Sequence, residues 1–108
     1  MKTEKKEATA FCVKKLRVLA DQARLSVLKI LMAGPKRVKE LEDAMAIEQS
    51  LLSHHLKILR DEGFVETSRE GKSVRYSISK DAIAISEHAI NLGCCTLSFD
   101  QKTPKSAR

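Results

Sequence analysis

Residues 49–79, QSLLSHHLKILRDEGFVETSREGKSVRYSIS, decide the fold. Their first half repeats with the period of a helix: Leu52, Leu56 and Leu59 fall at i, i+4 and i+7 on one face. Ser50, Ser53, His54 and Lys57 take the other face, a row of hydrogen-bonding tips without a carboxylate. Gly63 follows, a residue that readily ends a helix in the left-handed conformation. Beyond it the period drops to two, Val74, Tyr76 and Ile78 alternating with Arg75 and Ser77 as in a half-buried strand. Arg69-Glu70-Gly71-Lys72 provides a tight turn and two cations before that strand. A helix with a small polar face and a basic hairpin has the form of a DNA reader, a winged helix-turn-helix.

Upstream, a helix is expected from about Ala8 to Ala20, with Phe11, Leu16 and Leu19 among its apolar positions. Asp21 is placed to cap a second helix over 22–33, whose Leu25, Leu28, Ile30 and Leu31 form a broad apolar face before Gly34-Pro35 stops it. A short helix over 38–45 turns Val38, Leu41 and Met45 inward, residues 46–49 make the turn, and Ser50 caps the reading helix over 50–62. Downstream of the hairpin at 64–79, Asp81 opens a last predicted helix, with Ala82, Ile85, Ala89 and Leu92 in one apolar row and Ile83 and Ile90 in another. The pattern therefore predicts a mainly α fold with a small β-hairpin, in the order α-α-α-α-β-β-α. Residues 1–7 are expected to be a flexible start, 8–97 the folded domain, and 98–108 a flexible basic tail.

At 108 residues the chain has room for one core. Its net charge of +6 attracts polyanions, and one Tyr, three Phe and no Trp offer little for stacking unpaired bases, so duplex DNA is the expected partner. Without a membrane-length apolar run or a secretory leader pattern, a cytoplasmic location is expected. Three cysteines, Cys12, Cys94 and Cys95, argue against a structural disulfide framework.

Three local patterns carry a family resemblance. They are the L-A-D-x-x-R-L opening of the second helix (Leu19–Leu25), the S-x-H-L-x-x-L-R-x-x-G-x-V run from Ser53, and R-E-G-K-S-V-R-Y-S from Arg69. Together they span about residues 18–79, and they resemble the ArsR/SmtB family of bacterial repressors. The resemblance implies a homodimer held by its first and last helices, an inverted-repeat operator, and release when an inducer reaches a sensor site. In such a complex Ser50, Leu51, Ser53 and His54 lie nearest the base edges, Leu51 able to meet a thymine methyl group. Lys57 and Arg60 reach phosphates, and Arg69, Lys72 and Arg75 on the wing hold flanking backbone or a minor groove. His55 is expected to bond within the motif, and Arg24 to be structural or a phosphate clamp.

Two sensor sites that the resemblance raises are missing their ligands. The segment before the reading helix, VKELEDAMAIEQS, has no cysteine. In KDAIAISEHAINLGCC, Asp81 lacks a histidine two residues on and His88 lacks a glutamate three residues on, which removes a zinc-type site. Sulfur remains. If the first and last helices pack together, Cys12 can approach Cys94 and Cys95, with Gly93 loosening the helix end so that both can face one centre. Thiolates select soft species. Some arsenic-responding members of the family carry such a terminal pair, so the resemblance favours arsenite, with antimony(III), copper(I) and cadmium(II) also open. The alternative is a redox or polysulfide switch in which Cys12 bridges to Cys94 or Cys95. Family members sensing reactive sulfur carry their cysteines on the second and last helices, and the second helix here has none. The bland alternative makes the cysteines small buried apolar groups in a constitutive or partner-controlled DNA binder. Catalysis is not expected: no Asp or Asn is placed to orient His88 toward Cys94, and no Gly-rich phosphate loop or organic-cofactor motif occurs.

Overall fold

The computed structural model describes the backbone of residues 2–83 and 89–99, with side chains from residue 8 onward. Helix α1 (Lys2–Leu19) starts upstream of the expected Ala8. Helix α2 (Gln22–Leu31) begins where the sequence placed it, the Asp21 carboxylate accepting the Arg24 N–H at 3.1 Å. A strand of two residues, β1 (Lys36–Arg37), then leads directly into α3 (Val38–Met45). Glu40 fixes that entry by accepting the Arg37 N–H at 2.8 Å. Ala46 closes α3 at φ +51, its N–H donating to the Glu42 carbonyl at 2.8 Å.

Helix α4 (Gln49–Asp61) is the predicted reader, but its cap position is Glu48 rather than Ser50. The helix starts one residue earlier than expected, so Ser50 lies inside the first turn and its hydroxyl donates to the Glu48 carboxylate. At the far end Gly63, at φ +82, sends its N–H to the Arg60 carbonyl at 3.0 Å, and Phe64 bonds back to Leu59 at 2.9 Å. That pair of bonds is a Schellman cap. Strands β2 (Val65–Glu70) and β3 (Ser73–Ile78) form the wing, in register from Val65 opposite Ile78 to Glu70 opposite Ser73. Gly71, at φ +63, takes the first central position of the turn, where a type II′ turn needs a glycine. The sheet order is β1-β3-β2, with Arg37 opposite Arg75.

One core joins these elements: Leu19, Val27, Leu28 and Leu31, then Leu41, then Leu52, Leu56, Leu59, Phe64 and Val65. Leu28, Leu41, Leu52 and Leu59 are fully enclosed, each worth about 1.5–3 kcal/mol of burial. The three-leucine stripe that defined the reader is thus the side of α4 turned away from solvent.

The end of the chain departs from expectation. A 3₁₀ turn (Lys80–Ala82) opens it, and β4 (Ala89–Asn91) pairs antiparallel with β5 (Thr96–Ser98), so the predicted helix does not run through residues 89–98. Asn91 accepts the Gly93 N–H at 2.8 Å, Gly93 sits at φ +97, and Leu92 N–H reaches the Cys95 carbonyl at 2.8 Å. These local bonds favour a turn over helical continuation, and Ala82, Ala89, Ile90 and Leu92 reach the interior from it. Ile85 and His88 lie outside the described residues, as do residues 100–108 of the predicted tail. Ser98 and Phe99, placed in that tail by sequence, lie in β5 and against the core.

Candidate nucleic-acid interface and sulfur centre

The exposed side of α4 carries the residues singled out for DNA. Ser50, Leu51, Ser53, His54, Lys57 and Arg60 are all exposed, whereas Leu52, His55, Leu56 and Leu59 are buried. Leu51, 48% exposed at the start of the helix, is a large apolar side chain with no role in the core. Lys57 is held by Asp61 at 3.0 Å across one turn, a surface pair weak enough for a phosphate to displace. His55 does bond within the motif, as expected. Arg24 donates from Nη1 to His55 Nδ1 at 3.2 Å and from Nε to the Val18 carbonyl at 2.6 Å. A guanidinium has only donors, so Nδ1 is the accepting nitrogen. Arg24 therefore ties α1, α2 and α4 together, with its fork turned inward.

Arg69 and Lys72 are exposed at the wing tip, and Arg75 is half-buried with its Nε 3.0 Å from the Glu70 carboxylate. The wing is also more basic than the hairpin alone suggests. Strand β1 sets Lys36 opposite Tyr76 and Arg37 opposite Arg75, adding two cations that sequence reasoning did not select. Glu40 sits beside them, bonded to Arg37. The Arg37 backbone hydrogen bond, and then the Lys36, Arg37 and Arg75 charges, hold its carboxyl below the usual carboxylate range. Only the Gly34-Pro35 break just before them hinted at an added strand.

The three cysteines meet. Cys12 on α1 and Cys94 in the β4–β5 turn are joined as a disulfide with a Cα–Cα distance of 5.8 Å, across 82 residues of chain. Cys95 is free and exposed, its sulfur 3.9 Å from that of Cys94. All three sulfurs lie within 4.8 Å of one another, with Cys12 half-buried and the other two exposed. Instead of two thiols diverging around a helix, the turn delivers both to one place. A single bridge rather than a disulfide framework results, and it leaves one exposed thiol beside it. The donor set is purely sulfur, which suits soft thiophilic ions or thiol oxidation. Beside this centre α1 exposes Phe11, Val13 and Leu16, and the chain after the wing exposes Ile83 at 58%. Among the described residues no helix is long and apolar enough to cross a membrane.

Comparison with known proteins agrees with the winged helix-turn-helix fold. The sequence profile described as "Bacterial regulatory protein, arsR family" matches residues 21–67. The chain is 38% identical over 78 residues to the "HTH-type transcriptional regulator NmtR" of Mycobacterium tuberculosis, covering 72% of this chain and 65% of that relative, just under two thirds of its length. It is 34% identical over 89 residues to the "Probable mercury resistance operon repressor" of Streptomyces lividans, covering 74% and 71%. Among solved structures, reduced HlyU from Vibrio cholerae superposes with a TM-score of 0.67 at 35% identity, over 71% of this chain and 81% of that one.

Proposed function

The chain belongs to the arsR family of bacterial regulatory proteins, and from that premise we propose that it is a DNA-binding transcriptional repressor whose operator affinity is set at the Cys12–Cys94–Cys95 centre. The observation that carries this is the convergence of three sulfurs, from the two ends of the chain, beside a winged helix-turn-helix. As a homodimer pairing through the exposed apolar face of α1 and Ile83, it presents two copies of α4 to an inverted repeat. The two readers meet successive major grooves about 34 Å apart, so a small rotation between subunits misplaces both. Ser50, Leu51, Ser53 and His54 contact bases, while Lys57, Arg60, Arg69, Lys72 and Arg75, together with Lys36 and Arg37, hold phosphates.

The inducer of this proposal is arsenite, which three thiolates can hold: Cys94 and Cys95 from the turn, Cys12 from α1. A second reading is favoured by the Cys12–Cys94 bridge itself, which makes the same centre a redox or polysulfide switch. Fluorescence anisotropy on the protein's own promoter DNA separates them. Under reducing conditions, release by stoichiometric arsenite that Cys94→Ser and Cys95→Ser abolish supports the metalloid sensor. Release only by polysulfide or oxidant, abolished by Cys12→Ser, makes it a sulfur or redox sensor. Release by neither overturns both.

A further inference from the structure

Lys15 looks in the sequence like any solvated helix charge, yet its ammonium has four partners. It donates to the main-chain carbonyl of Glu62 and lies 3.9 Å from the Glu62 carboxylate. It also sits 5.4 Å from the centre of the Phe11 ring and 5.2 Å from that of Phe64. Only 18% of the side chain is exposed. Glu62, Gly63 and Phe64 are the cap that closes the reading helix, so a cation from α1 occupies the negative end of the α4 dipole. Phe11, which forms part of the Lys15 site, also faces the sulfur turn. A Cβ on Gly93 would stand 3.0 Å from the ring's Cε2. Cys12 is the next residue along. One turn of α1, residues 11–15, thus touches both the sulfur centre and the C-terminal cap of the reader.

We propose that Lys15 is a positioning residue that couples the state of the sulfur centre to the orientation of α4, a role that rests on the proposed function above. Closing the centre fixes the Gly93 turn against Phe11 and α1, and a displacement of α1 carries the Lys15 ammonium and the Glu62 carbonyl it holds. The reader then tilts from its C-terminal end. Lys15→Met keeps the apolar stem and removes the charge, while Lys15→Arg restores a donor. Promoter affinity is measured for wild type and both variants reduced, with arsenite, and with Cys12–Cys94 closed by hydrogen peroxide. That closure takes two thiols and one peroxide to a disulfide and two waters. In the state where wild type loses affinity by about tenfold or more, Lys15→Met is expected to lose less than about threefold and Lys15→Arg to follow wild type. Amide hydrogen exchange at Gly63 and Phe64 is expected to change on closure in wild type and to be insensitive to closure in Lys15→Met. A Lys15→Met protein that releases DNA by the full wild-type factor, whatever its starting affinity, overturns the proposal. A wild type that ignores both chemistries overturns the proposed function instead, and exchange then decides alone. A wild-type change at 63–64 that Lys15→Met lacks supports the coupling, and no change there ends it.

Discussion

Gly93→Ala tests whether the β4–β5 turn assembles the sulfur centre. Gly93 holds φ at +97, a conformation that costs an L-residue about 1–2 kcal/mol. The added Cβ would meet Phe11 at 3.0 and 3.3 Å, but these atoms are the far end of a ring that is 45% exposed and able to swing aside. Backbone strain therefore dominates. If the reduced turn is largely open until arsenite closes it, a strain of about 1–2 kcal/mol weakens arsenite affinity by about 5–30-fold, at 1.4 kcal/mol per decade. The assay is a competition titration of arsenite under reducing conditions, alongside urea unfolding of the same preparation. Gly93→Asn, with a side chain that tolerates positive φ better, is expected to lose less than Gly93→Ala. A Gly93→Ala protein that keeps wild-type arsenite affinity within about twofold would refute the link between turn and centre.

Asp21→Ala removes the cap of α2 and is expected to cost about 0.5–2 kcal/mol near neutral pH, with Asp21→Asn close to wild type, both measured by urea unfolding. The Arg24 backbone hydrogen bond, working against desolvation and helped by nearby positive charge, holds the Asp21 carboxyl below its usual range. With the folded value depressed, its stabilisation is present above the unfolded pKa of about 3.9 and is lost as pH falls through the folded one, so stability-versus-pH curves should flatten there in both variants. Ala46→Gly relieves a non-glycine residue at φ +51 and is expected to stabilise by roughly 0.5–1 kcal/mol after the extra chain entropy, read as a higher urea midpoint with unchanged slope. Lys36→Gln with Arg37→Gln is expected to weaken DNA binding similarly across sequences and to lower the log-affinity-versus-log-salt slope by about 1 for each phosphate no longer neutralised; an unchanged slope removes β1 from the interface.

The reader and the wing were legible because each has enough residues to show its period. The Leu52, Leu56 and Leu59 stripe spans two turns, and Val74, Tyr76 and Ile78 give two full periods of alternation. Strand β1 has two residues and no period to show, so its Lys36 and Arg37 could be found only through pairing with β3. The end of the chain failed for another reason. Ala82, Ile85, Ala89 and Leu92 fit a helical spacing, but such a row does not distinguish a helix from a folded-back strand whose apolar residues also face inward. The opposing signals were Asn91 two residues before Gly93, and β-branched Ile90 and Thr96 on either side. The meeting of Cys12 with Cys94 and Cys95 was expected from two packed helices, whereas the structure achieves it with a helix and a turn. Lys15 was invisible because its partners are 47 and more residues away, except Phe11.

The hairpin matters more to the chemistry than a helix would. On an α-helix adjacent side chains point about 100° apart, so a vicinal cysteine pair would offer one thiol at a time to a third on α1. In the turn, Cys94 and Cys95 bring their sulfurs to 3.9 Å, with Cys12 within reach of both. The same closeness makes the two proposed states exclusive. Bridging Cys12 to Cys94 consumes two of the three thiols, leaving Cys95 alone, so a bridged centre has no three-thiolate set to give a metalloid. Both states act on α1 through Cys12. A switch of about tenfold needs about 1.4 kcal/mol of differential binding, within the roughly 1.5–3 kcal/mol worth of a charge-assisted hydrogen bond such as Lys15 to the Glu62 carbonyl. The proposed coupling therefore requires that closing the centre change this contact by about half its worth or more.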